Sequence, residues 1–291
     1  MRLDDDTESQ NVEDRRSGGM GGLPIGRGGL GVGTVVLALV AWYFGIDPSV
    51  VINGARMLEQ QAPVSAPAGK PLASDAREDA TAHFVAKVLN DTEKTWHQVF
   101  QEAGRTYEEP KLVLFRGATQ TACGAGQAAM GPFYCPLDRK VYIDLAFYDE
   151  LRQHFHAPGD FAEAYVIAHE IGHHVQNLLG ISERVHQAQQ RASKTQANAL
   201  SVRLELQADC LAGVWASRAD AARKILETGD VDEALRAATA IGDDTLQKQS
   251  QGVVVPESFT HGTSAQRVRW FRQGLESGSV AQCDTFQAAR L

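Results

Sequence analysis

Apolar residues recur at helical spacing along most of the second half of this chain. Phe161, Tyr165, Ala168, Ile171, Val175 and Leu178 fall on one stripe, which predicts an amphipathic helix with that face inward. Asp160 and Glu163, just after Pro158 and Gly159, resemble a capping box at its start, and Gly180 is a natural stop. Val202, Leu204, Leu206, Leu211, Val214 and Trp215 predict a second such helix. Upstream, Val85, Val88, Leu89, Trp96, Val99 and Phe100 mark one side of a helix over 74–103 that ends at Gly104. Shorter helices are predicted over 147–155 and 183–199. Another begins at Asp230 and Glu233, a further capping-box pattern, and ends at 240. A last one, capped by Thr263 or Ser264, runs to 272. Strand patterns cover only 111–116 and 140–145. The pattern predicts an α+β fold, mostly helical with a small sheet.

One apolar run has no periodicity. Residues 28–46 carry no charge, and as a helix they would be ~28 Å long, about the thickness of a bilayer core. Trp42 and Tyr43 stand near its end, where aromatic anchors sit. A signal peptide has a shorter apolar region and a small-x-small cleavage site, which is not evident after Phe44. The expectation is one uncleaved transmembrane helix. Arg2, Arg15, Arg16 and Arg27 precede it and only Arg56 follows closely. The positive-inside rule then puts the N-terminus in the cytoplasm and the larger part outside, at the inner (plasma) membrane of a bacterium. Residues 1–27, polar, charged and Gly-rich, read as a disordered tail. Residues 47–73, with Pro63, Pro67 and Pro71 among Ala and Ser, read as a linker. Residues 74–291 form the folded domain.

The chain of 291 residues has a net charge of −8 and a pI near 5.6, without a basic block in the domain, which argues against nucleic acid as a partner. Cys123, Cys135, Cys210 and Cys283 are the four cysteines. An even number in an exported domain suggests two disulfides. Of three pairings, Cys123–Cys135, closing a short loop, and Cys210–Cys283, tying the tail to a helix, are preferred. A cytosolic location would favour four reduced thiols instead.

The chemistry concentrates on the two best-defined helices. His169-Glu170-Ile171-Gly172-His173 reads H-E-x-x-H. Residues four apart share a helix face, so both imidazoles can reach one metal, with Glu170 beside them to act on a metal-bound water. On the second helix Glu205 and Asp209 also share a face. Glu205 can be a third ligand, and Asp209 can hold the free N–H of a ligand histidine. His261 stands in Phe259-Thr260-His261-Gly262-Thr263-Ser264, just before a helix start. Two imidazoles and one carboxylate suit one zinc ion per chain, with the fourth position left to water. Gln176 and Leu179 occupy positions where a metzincin needs Gly and His, so the His₂Glu class of zincin fits instead. His174 points ~100° away from His173 and is read as a core group or as a support behind the metal ligands. His83, His97, His154, His156 and His186 have no ligand spacing.

These segments, with Ala122-Cys123-Gly124, Gly131-Pro132-Phe133-Tyr134-Cys135-Pro136, Val141-Tyr142-Ile143-Asp144-Leu145, His174-Val175-Gln176, Cys210-Leu211-Ala212-Gly213 and Thr260-His261-Gly262-Thr263, resemble the bacterial neutral zinc metallopeptidases of the YpfJ type, which are anchored in the inner membrane. The resemblance runs from about Lys70 to the C-terminus. It implies a zincin-like peptidase domain acting on a peptide or protein substrate. In such an enzyme His169, His173 and Glu205 would hold zinc, Glu170 would be the general base and His261 would stabilise the oxyanion. By analogy with thermolysin-like enzymes, the region 131–145 would offer a sheet edge to an extended substrate, unless it is an ordinary core hairpin. The rival readings are a non-catalytic binding protein on the same fold and a zinc amidase with a non-peptide substrate.

Overall fold

A computed structural model describes residues 1–3, 6–16, 76–127 and 131–291. The transmembrane run expected at 28–46, the adjoining part of the tail and the linker lie outside the described residues. Among the described residues no helix is long and apolar enough to cross a membrane.

The long apolar stripe upstream becomes helix α1, Ala76–Glu102. Strands β2 (Lys111–Phe115) and β6 (Lys140–Asp144) are the two strands read from the alternation. They pair in parallel, Val113 opposite Tyr142. Between them lie a small hairpin, β3 (Ala118–Thr121) and β4 (Gly124–Gln127), and strand β5 (Phe133–Cys135), which runs antiparallel to β6. With β1 (Val12–Asp14) at one side, the main sheet has the order β1-β2-β6-β5, so β5 is an edge strand.

Strand β1 is Val12–Asp14, within the stretch that composition marks as a disordered tail. This is a correction to the sequence reading. Residues 1–16 belong to the same compact unit as 74–291, and β1 pairs in parallel with β2. Leu3 enters the main core. The charges that suggest disorder are partnered from far away: Glu8 with His83 at 2.8 Å, Glu13 with Lys140 at 2.7 Å, and Asp6 with Lys94.

Helices follow the sheet: α2 (Ala146–Gln153), α3 (Asp160–Leu178), α4 (Ile181–Gln189), α5 (Lys194–Arg223), α6 (Asp230–Ala240), α7 (Asp243–Gln251) and α8 (Ser264–Ser277). The helix predicted over 183–199 is broken. Ser193 caps α5 with a capping box to Gln196, so the chain turns after α4 and one 30-residue helix carries on. The capping boxes read at Asp160/Glu163 and Asp230/Glu233 do not form. Glu233 instead accepts from the Phe161 N–H at 3.1 Å, capping α3 from α6, and Glu163 pairs with Arg152. Gly180 does end α3, in the left-handed conformation that suits glycine.

Helix α3 is buried along nearly its whole length, with Phe161 stacked on Trp215 of α5 at 5.9 Å. Two glycines set the helix spacing. A Cβ on Gly172 would lie 2.9 Å from the Ala208 carbonyl oxygen of α5, and one on Gly274 of α8 would lie 1.8 Å from the Cys210 oxygen. Only glycine lets these backbones approach so closely, and the approach brings α3, α5 and α8 together at one level. Both disulfides form as Cys123–Cys135 and Cys210–Cys283. The second fastens the C-terminal segment to α5.

Candidate zinc centre

Where α3 and α5 meet, His169, His173 and Glu205 converge, with one ligand atom of each within 4.8 Å of the others. His169 Nε2 lies 3.2 Å from one Glu205 oxygen and His173 Nε2 lies 3.4 Å from the other. The rings stand nearly perpendicular with centroids 4.8 Å apart. Both Nε2 atoms therefore face the carboxylate across a small gap, as two imidazoles and a carboxylate around one divalent ion must. The donor set fits zinc: two neutral nitrogens, one anionic oxygen and no thiol.

The other ring nitrogens are held by acceptors, which fixes the tautomers. His169 Nδ1 donates to Asp209 at 2.8 Å. His173 Nδ1 donates to the Gln176 side-chain oxygen at 2.9 Å, while the Gln176 amide nitrogen donates to the Leu204 carbonyl at 2.7 Å and to Gln207 at 3.1 Å. Once deprotonated, each Nε2 can give its lone pair to a metal. Asp209, fully buried, is itself satisfied. Arg267 of α8 forks onto both its oxygens at 2.9 Å, and the Tyr165 hydroxyl donates at 2.5 Å. Burial pushes the Asp209 carboxyl up, but Arg267 and His169 outweigh it and hold it down at about 2. Burial likewise works against a charge on His169, yet Asp209 and then Glu205 raise it to about 10 in the metal-free chain.

Glu170 is buried at the same level, and loss of hydration raises its pKa before the opposing pull of His169 and His173. A carboxylate shifted upward is a better proton acceptor near neutral pH. It opens, with His169, His173 and Glu205, onto a cleft of about 1070 Å³ whose wall includes Phe133, Tyr134, Phe147, Phe155 and Val185. Edge strand β5 thus borders the cleft, at one end of the region singled out as a candidate sheet edge.

His261 also lines the cleft and is half exposed. Asp243 at the start of α7 organises its loop. One carboxylate oxygen accepts from the backbone N–H groups of Thr260, His261 and Gly262 at 2.8, 2.6 and 3.0 Å, and the other lies 3.2 Å from His261 Nδ1. That contact with Asp243 raises the His261 pKa, burial opposing it. A proton on Nε2 can then point into the cleft.

His174 is not part of the convergence. It is fully buried, donates from Nε2 to the Glu108 carbonyl at 2.6 Å and accepts at Nδ1 from the Tyr134 hydroxyl at 3.0 Å. Asn177 in turn donates to that hydroxyl at 3.0 Å. Burial drives the His174 pKa down to about 4, so the ring is neutral.

Arg267, Gln176, Tyr165 and Asp243 escape the sequence reading. Two left a signal. Gln176 is three residues after His173, on the same face. Arg267 shares the inward stripe of α8 with Trp270, Phe271 and Gly274, where a charge requires a buried partner. Asp243 left none, because its partners are backbone groups of a separate loop.

Sequence comparison agrees with this geometry. The profile of the family described as "Putative neutral zinc metallopeptidase" matches residues 1–286. The uncharacterized protein YpfJ of Escherichia coli K12 is 54% identical over 98% of this chain and 99% of its own length. The uncharacterized proteins Mb2605 of Mycobacterium bovis and Rv2575 of Mycobacterium tuberculosis are each 45% identical over 64% of this chain and 65% of their own length. No solved structure matches. The chain belongs to this neutral zinc metallopeptidase family.

Proposed function

We propose that this family member hydrolyses peptide bonds at a zinc ion held by His169, His173 and Glu205. The observation that carries the reading is the arrangement of paired Nε2 atoms facing one carboxylate, with both Nδ1 atoms already committed to acceptors. A bound zinc would supply a water of pKa ~7 and a Lewis-acid contact for the scissile carbonyl. Glu170, raised by burial, takes the water's proton and returns it to the leaving amine. His261, steered by Asp243, donates from Nε2 to the oxygen that gains charge. An extended peptide lies against the edge of β5, whose backbone pairing binds many sequences.

The same reading puts the catalytic body outside the cytoplasm and attaches it to the bacterial membrane through residues 28–46. Two disulfides support an oxidising compartment. One zinc per chain follows from the single cluster of this donor type among the described residues.

The deciding variant is Glu170→Gln. It should keep zinc and fold while peptide hydrolysis falls by about 10²–10⁴. Zinc-loaded wild-type protein that leaves every protein of an envelope extract uncut would favour the non-catalytic binding protein. Cleavage confined to non-peptide amides would favour the amidase.

A further inference from the structure

Residues 6–16 are built into the fold. The Asn11 carbonyl accepts from the Leu112 N–H at 2.9 Å, and the Arg15 N–H donates to the Leu114 carbonyl at 2.8 Å, so β1 is fastened to β2 at both ends. Beneath it lies the buried carboxylate of Glu93 on α1. The Ser9 hydroxyl and the Asn11 amide donate to it at 2.7 and 3.0 Å. Without the strand, Glu93 would keep neither donor, and a buried carboxylate without donors is strongly disfavoured. Above α1, Asn90 donates to the Thr7 carbonyl at 2.7 Å and the Ser9 N–H donates to Ala86 at 3.0 Å.

Where this segment ends, α1 begins. The Arg16 guanidinium donates to the Glu78 carbonyl at 3.3 Å and lies 3.2 Å from Asp79. Arg16, the last described residue of this segment, therefore lies beside the first turn of α1. The connection from β1 to β2, which includes α1, is the crossover that parallel neighbours require.

Paired strands lie about 4.8 Å apart, whereas a bilayer core is ~30 Å thick. A single crossing by residues 28–46, which the arginine distribution favours, would put β1 and β2 on opposite sides of that core. The two arrangements exclude each other. We infer that residues 6–16 and 76–291 occupy the same side of any membrane the chain meets, so that the chain between them makes no single, one-way crossing. The inference concerns how this chain meets a bilayer and is independent of the peptidase reading.

The test uses the full chain in bacterial membranes. Glu8 and His83 are exposed partners 2.8 Å apart, and Asp6 and Lys94 form a second pair nearby. The native cysteines are all in disulfides. Glu8→Cys with His83→Cys, and separately Asp6→Cys with Lys94→Cys, are combined with a protease site inserted among residues 60–71. Each pair should cross-link, and the two fragments should stay joined after cleavage until reductant is added. In parallel, a membrane-impermeant maleimide is applied to intact spheroplasts carrying Glu8→Cys or Glu276→Cys, both exposed positions. The two should label alike before and after lysis. Labelling of one in intact cells and of the other only after lysis would overturn the inference. So would failure of both pairs to cross-link.

Discussion

Each imidazole at the centre is aimed by a partner that does not touch the metal position. For His173 that partner is Gln176. Gln176→Ala removes the acceptor from Nδ1 and frees the ring to turn or change tautomer. Loss of such a group costs 10–100-fold in metal affinity, so zinc titration against a competing chelator should show a drop of about that size, with the fold intact. Arg267 is different in kind, because it neutralises a carboxylate that has no access to water. Arg267→Leu leaves the buried Asp209 with only His169 and Tyr165 as partners, and denaturant unfolding of the zinc-free chain should show a loss of about 3 kcal/mol. The His261 side chain is half exposed and held by Asp243. His261→Ala should keep zinc and thermal stability while kcat falls by about 10²–10³; falling zinc content would make it a ligand instead. The three side chains that converge here were readable, because H-E-x-x-H and E-x-x-x-D each put their polar residues on one face of a helix. The residues that aim them were mostly not readable, because a hydrogen bond from Arg267 to Asp209, or from the His261 loop to Asp243, imposes no spacing at all.

Among the elements, α3 and β5 have to keep a fixed distance if the cleft is to have a fixed width. His174 and Asn177 of α3 both engage the Tyr134 hydroxyl of β5. His174 also anchors the chain just before β2 through Glu108. A protonated His174 could not accept from Tyr134, and its burial would leave the charge poorly solvated. The folded pKa of about 4 lies below the ordinary 6.5. The unfolded chain therefore binds the proton first as pH falls. The neutral ring's contribution is complete above 6.5, erodes between 6.5 and about 4, and is gone below that. The shift corresponds to about 3 kcal/mol. Unfolding of the zinc-free chain should weaken over this window, and His174→Gln should flatten that part of the pH profile. Element boundaries show the same divide between local and distant causes. Gly104, Gly180 and Thr263 stop or start helices through their own geometry and were legible. Glu233 caps a helix some seventy residues away, and β5 is three residues held by its pairing with β6, so neither could be read locally.

At the scale of the molecule, the two disulfides do different work. Cys210 and Cys283 are 73 residues apart in sequence and Cys123 and Cys135 are 12 apart. Loop-closure entropy predicts a contribution of about 4 kcal/mol for the first and about 3 kcal/mol for the second. The difference is small, so stability alone would scarcely separate them. Their positions do. The Cys283 carbonyl accepts from Gln207 at 2.9 Å, Gln207 accepts from Gln176 at 3.1 Å, and Gln176 holds His173. Arg203 and Thr285 add further ties between α5 and the tail, the Thr285 hydroxyl donating to the Arg203 carbonyl at 2.6 Å. The C-terminal segment is thus hydrogen-bonded to the candidate zinc centre by way of Gln207 and Gln176. Cys123–Cys135 joins the turn between β3 and β4 to the edge strand, on the cleft side. Replacing Cys210 and Cys283 by Ala should therefore lower both stability and zinc affinity. Replacing Cys123 and Cys135 should lower stability with zinc affinity unchanged, and raise KM for an extended peptide that pairs with β5. Denaturant unfolding, chelator competition and peptide kinetics on the two double variants distinguish these outcomes. Equal loss of zinc from both would mean that the metal centre depends on overall rigidity and not on the path through Gln207 and Gln176.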